Sequence, residues 1–171
     1  MRYLRLILRG IDGLNLRIAQ VVSWAVVLLI ITTVYEVIMR YVFNSPTNWV
    51  FEFNYLLNGP YFMILGAYTL AVNGHVNVDI FTARLSPRKQ AVLSLVTMPV
   101  FFFFIIILLI FGGKFALIAL QSRETLSSAW APPVYPVKMM IPFAAFLMLL
   151  QGIAKFVRDL HLAITGREGE L

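Results

Sequence analysis

Apolar residues run along this chain in long blocks separated by short polar segments. A helix crossing the hydrocarbon of a bilayer needs about 20 mostly apolar residues. Between Arg17 and Glu36 lie 18 residues without a charge, IAQVVSWAVVLLIITTVY. A second block follows Glu52, its apolar part ending near Val72. A third fills the 24 residues between Lys89 and Lys114 and contains VFFFFIIILLIF. The fourth, MMIPFAAFLMLLQGIA, is only 16 residues, but Lys138 and Lys155 at its ends can snorkel and lengthen it. The pattern predicts one all-α integral membrane domain over 1–171, with four transmembrane helices near 18–43, 50–73, 87–121 and 137–160.

The segments between the blocks predict how the helices begin and end. In residues 1–17, Arg2, Arg5, Arg9 and Asp12 share a narrow arc of a helical wheel, and Leu, Ile and Tyr fill the rest. This suits a short amphipathic helix lying on the cytoplasmic membrane surface beside anionic lipid. Asn44, Ser45 and Pro46 predict a turn, with Trp49 as an interface anchor. Ser86-Pro87 reads as an N-cap followed by proline at the first helical position. Residues 78–85 leave room for about two turns of surface helix. The three prolines of APPVYP stop the third span, and Trp130 and Tyr135 fit an aromatic belt. Pro60 and Pro99 fall inside spans and predict kinks.

Composition sharpens this. Hydrophobic residues make up 60% of the chain and charged residues 13%, where a soluble domain runs near half and a quarter. With no cysteine, disulfides, thiol catalysis and iron–sulfur clusters are excluded. The net charge of +6 is chiefly a topology signal. Ten Lys and Arg flank the spans on the side of the termini and the 2–3 loop, against four on the other. Positive residues favour the cytoplasm, so both termini are expected inside. Nucleic-acid binding is not expected, because no basic face carries aromatic or polar readers.

Ionisable residues within spans are the first candidates for function. Glu36 and Arg40 lie four apart on one face of the first span, and Glu52 opens the second at similar depth, with Asn54 and Asn58 further in. Spacing predicts one polar cluster in which Arg40 bridges both carboxylates. An ion or substrate pathway is one reading. A structural clamp between helices, or against a partner, is preferred because every charge lies near the interface. His75 and His161 raise a bis-histidine haem, but they are the only histidines, and two interface histidines are the simpler reading. Asp79 beside His75 offers too few ligands for a metal. No Walker, GxSxG or HExxH motif occurs, and no enzyme is expected.

Three stretches carry a family likeness: YEVIMRYVFNSPTNWVFEFNYLL, GAYTLAVNGHVNVDIFTARLSPR and WAPPVYPVKMMIPFAAFLMLLQG. In this order and spacing the chain resembles the small membrane subunit of TRAP (tripartite ATP-independent periplasmic) transporters, the DctQ-like family, over nearly its whole length. The resemblance implies a multi-pass protein of the bacterial inner membrane that pairs with a large membrane subunit. A periplasmic substrate-binding protein would dock on the complex, and sodium-driven symport would take up small organic acids. It implies a scaffold role without cofactor or metal. It also makes His75, Asp79 and Arg84 candidate cytoplasmic loop contacts. The alternative from another class is a haem- or quinone-binding anchor subunit of a respiratory complex.

Overall fold

A computed structural model describes residues 2–72 and 85–166. Among the described residues five helices form: α1 (Arg2–Ser23), α2 (Ala25–Tyr41), α3 (Val50–Ala71), α4 (Pro87–Gln121) and α5 (Tyr135–Thr165). The expected boundary at residue 17 is not where the first helix ends. α1 runs six residues further, and Trp24, itself in right-handed helical conformation, joins it to α2. Ser23 Oγ turns back to donate to Gln20 O at 2.7 Å, and Val27 N and Leu28 N both reach Trp24 O. The two helices therefore act as one rod.

Local chemistry sets the other ends. Asn44 takes a left-handed conformation (φ 49°), which asparagine tolerates better than most residues, and Ser45 N closes the turn onto Met39 O at 2.9 Å. Ser86 is extended before Pro87, as expected. Its side chain makes no cap bond, and its carbonyl accepts from Lys89 N and Gln90 N instead. α5 ends at Gly166 (φ 67°), a left-handed position that glycine occupies without steric cost.

The chain passes up through α1 and α2, down α3, up α4 and down α5. We call the end holding the α2–α3 turn and the α4–α5 loop the turn end, and the opposite one the terminal end. α5 is the common neighbour, packing most extensively on α4 and, on its other side, on α3 and α1. In a bilayer, lipid tails are as apolar as leucine, so close packing rather than water exclusion holds helices together. The seams are accordingly made of small residues. Ala91, Gly112, Ala116 and Ala119 of α4 and Ala144, Ala145, Gly152 and Ala154 of α5 are buried. A Cβ on Gly152 would stand 2.4 Å from Phe101 Cε1, and one on Gly112 2.8 Å from Ile141 Cγ2. On the other side Ile64 and Ala67 meet Ala144 and Leu147, with Ile18, Val22, Met140 and Met148 around them.

Three stretches, Arg5–Tyr41, Pro87–Gln121 and Tyr135–Thr165, are long and apolar enough to cross a membrane. α3 is not among them. Its 22 residues give about 33 Å of rise, but Glu52, Asn54, Asn58 and Pro60 dilute its apolar character.

Candidate functional site

The polar residues singled out by spacing fall into two neighbouring groups at the turn end, not one cluster. Glu36 and Arg40 pair along α2, with Arg40 Nη2 at 2.6 Å and Nε at 3.1 Å from Glu36 Oε1. The carboxylate's other oxygen accepts from Thr47 N at 3.2 Å and from the Thr47 hydroxyl. Glu36 thereby ties α2 to the turn that follows it. Its side chain is 14% exposed and that of Arg40 is 52% exposed, so the carboxylate, not the arginine, is the enclosed member.

Glu52 does not join them. The single-arginine bridge to two carboxylates is absent, because Glu52 accepts instead from Ser128 Oγ in the α4–α5 loop at 2.8 Å. That loop is a small hairpin: Thr125 bridges Pro133, Leu126 N donates to Pro132 O, and Val134 N donates to Glu124 O. Ala131 adopts φ 47° and its N–H donates to Ser128 Oγ at 3.0 Å, so one serine both braces the loop and seats it on α3. Trp49 stands between Tyr35 and Trp130, with ring centroids 6.1 Å and 6.3 Å away. Lys138 pairs with Glu124 at 2.6 Å and lies 4.0 Å over the Phe115 ring, closing the base of the loop.

One turn deeper, Asn54 links α3 to α2 by accepting from Thr32 Oγ1 at 2.6 Å and donating to Thr33 Oγ1 at 3.1 Å. Asn58 is exposed, and among the described residues its side chain has no hydrogen-bond partner. His75, Asp79 and Arg84 lie outside the described residues, as do the surface turns expected over most of 78–85.

A second polar group at the terminal end escaped the sequence reading. Asp12 receives Arg158 Nη2 at 2.5 Å, Arg158 Nη1 at 3.2 Å and Gln151 Nε2 at 2.9 Å. Gln151 Oε1 accepts from Asn15 Nδ2 at 2.7 Å, and both amides are buried. Ser94 Oγ reaches Asp159 Oδ2 at 2.5 Å, with Lys155 Nζ at 3.5 Å. Gln151, Lys155, Arg158 and Asp159 line a cleft of about 60 Å³ beside Leu70 and Ala71. A glutamine inside an apolar block was the one available signal, since a buried amide needs a partner. His161 sits in this region on α5, where its carbonyl accepts from Thr165 Oγ1 at 2.7 Å. Among the described residues no group of three His, Cys, Asp or Glu side chains is placed to hold a metal.

These contacts tie helix to helix at both ends, while the length between is closed by alanine, glycine, leucine, isoleucine and methionine. Such an arrangement fixes shape. A search of curated proteins gives no match. Residues 29–162, from α2 almost to the end of α5, match the family described as tripartite ATP-independent periplasmic transporters, DctQ component. That family is a transport component and not an enzyme, and it gives no support to the haem- or quinone-binding alternative. The chain belongs to the DctQ component family of TRAP transporters.

Proposed function

We propose that this chain is the small scaffold subunit of a TRAP transporter in the bacterial inner membrane, pairing stably with a large membrane subunit. The large subunit moves small organic acids inward on a sodium gradient, after a periplasmic binding protein delivers them. The observation that carries the scaffold role is where the polar groups go. Glu36, Glu52, Asp12 and Gln151 each join one element to another, and the seam between α4 and α5 closes tightly where Gly112 meets Ile141 and Gly152 meets Phe101. A continuous seam of this kind supports a rigid body and leaves transport to a partner.

The four-span topology belongs to the same reading. α3 pairs along α2 through Asn54 and lies against α5 through Gly66, whose Cβ position is 3.4 Å from Met148 Sδ. These contacts beside two apolar helices support reading α3 as a fourth crossing. With four crossings, the basic residues of both termini lie on the cytoplasmic side. The turn end then faces the periplasm, where the binding protein docks. A reporter fused after Leu171 is expected to read cytoplasmic, and one inserted at Ser128 periplasmic. Reconstituted alone, the chain should give no solute uptake, and uptake should appear with the large subunit and binding protein added. Uptake by the lone chain defeats the scaffold reading.

A further inference from the structure

α3 presents a stripe that suits neither lipid nor water. Phe51, Tyr55, Asn58 and Phe62 follow one another at four, three and four residues, which places them on one side of the helix. Phe51, Tyr55 and Phe62 are 79%, 66% and 65% exposed, and Asn58 is exposed beside them. Asn58 is one turn beyond Asn54, which is paired with Thr32 of α2. It therefore lies alongside the apolar run of α2 that contains Leu28 and Leu29, inside the depth of the hydrocarbon. Lipid tails offer an amide no hydrogen bond. Next to it, Pro60 supplies no N–H to the carbonyl of Leu56. Gly59 has open space where a Cβ would stand, at the edge of this stripe.

The exposed face of α4 is different. Val100, Phe104 and Phe111 are 72%, 61% and 63% exposed, form a similar stripe, and carry no polar group. That face suits lipid. Among the described residues, α3 is also not one of the stretches long and apolar enough to cross a membrane. An exposed amide held at that depth, where lipid offers it no hydrogen bond, has its side of the helix covered by protein.

We infer that the Phe51–Tyr55–Asn58–Phe62 stripe of α3 is the face on which the large membrane subunit docks. The covering element is a transmembrane helix that approaches closely over Gly59 and brings a hydrogen-bonding side chain to Asn58. This rests on the proposed pairing with a large subunit and names the surface that does it.

The chain has no cysteine, so single-cysteine variants carry a photo-crosslinker at one known place. Crosslinkers at Tyr55, Asn58 and Phe62, and separately at Val100, Phe104 and Phe111, are to be activated in membranes containing both subunits. Adducts of the mass of this chain plus the large subunit are expected from the α3 positions and not from α4. Asn58→Leu removes the amide and improves the fit to lipid, so the lone chain should be made in undiminished amount. Its affinity for the large subunit should fall about threefold to tenfold, the range of one interhelical hydrogen bond. If wild-type subunits co-purify but adducts come from α4, from neither helix, or only between two copies of this chain, the docking face is wrong while the pairing stands. If wild-type subunits do not co-purify, the pairing fails and this inference falls with it.

Discussion

Ser128 Oγ lies 2.8 Å from Glu52 Oε2 and joins residues 76 positions apart, closing the α4–α5 loop onto the first turn of α3. The same hydroxyl accepts the N–H of Ala131, whose φ of 47° is unfavourable for a residue with a Cβ. Ser128→Ala should therefore release both loop and helix. A loss of about 1–2 kcal/mol is expected for two hydrogen bonds, one to a carboxylate. Protease cleavage within 123–133 should accelerate in parallel. Unchanged cleavage would mean that the aromatic contacts of Trp49 and Trp130 hold the loop without the serine.

Glu36 and Arg40 are not equal partners. Arg40 is half exposed, and solvent screens a surface pair of this spacing, so the pair itself contributes little. Glu36 is more enclosed and also receives both donors of Thr47. Glu36→Ala should cost more stability than Arg40→Ala, because it frees the turn as well as the arginine. Thermal unfolding of the two variants in the same detergent compares them directly. An Arg40→Ala loss as large as that of Glu36→Ala would place the weight on the ion pair. Altered sodium dependence of uptake with normal assembly would revive the ion-pathway reading.

The seam between α4 and α5 depends on Gly152. A Cβ there collides with the Phe101 ring, so Gly152→Ala should destabilise by about 1–3 kcal/mol through overpacking. Phe101→Leu in the same chain should recover much of that loss, and a double-mutant cycle measures the coupling. Gly113→Ala is the control, since nothing lies within 4 Å of its added methyl. Additive losses from Gly152→Ala and Phe101→Leu would show that the ring is not what fills the position.

At the terminal end Gln151 should matter more than Arg158. Arg158→Ala still leaves Asp12 the Gln151 amide, and both charged groups are partly exposed, so a loss within about 1 kcal/mol is expected. Gln151→Leu strands Asn15, which is 2% exposed, at a cost of about 1–3 kcal/mol. Adding Asn15→Leu should restore most of it, because replacing both partners by apolar groups removes the unsatisfied amide. Denaturation midpoints of the three variants test this ordering. A double variant weaker than Gln151→Leu alone would count against it.

Much of this protein is determined by its sequence alone, and for local reasons. Uncharged runs of helix-crossing length specify the long helices, because a backbone in hydrocarbon must satisfy its own hydrogen bonds. Ser86-Pro87 starts α4, Pro136 sits in the first turn of α5, and Asn44 permits the turn after α2, whereas α4 ends at Gln121, ahead of every proline of the loop. The Glu36–Arg40 pair was legible because both residues lie on one helix at a fixed spacing. The partners of Glu52 and Gln151 were not. Ser128 lies 76 residues from Glu52, and Asp12 lies 139 from Gln151, so each meeting depends on how two helices are rotated and seated against each other. Only the packing of α5 between α4 and α3 decides that rotation. It also leaves Asn58 facing outward while Asn54, four residues earlier on the same helix, turns to α2.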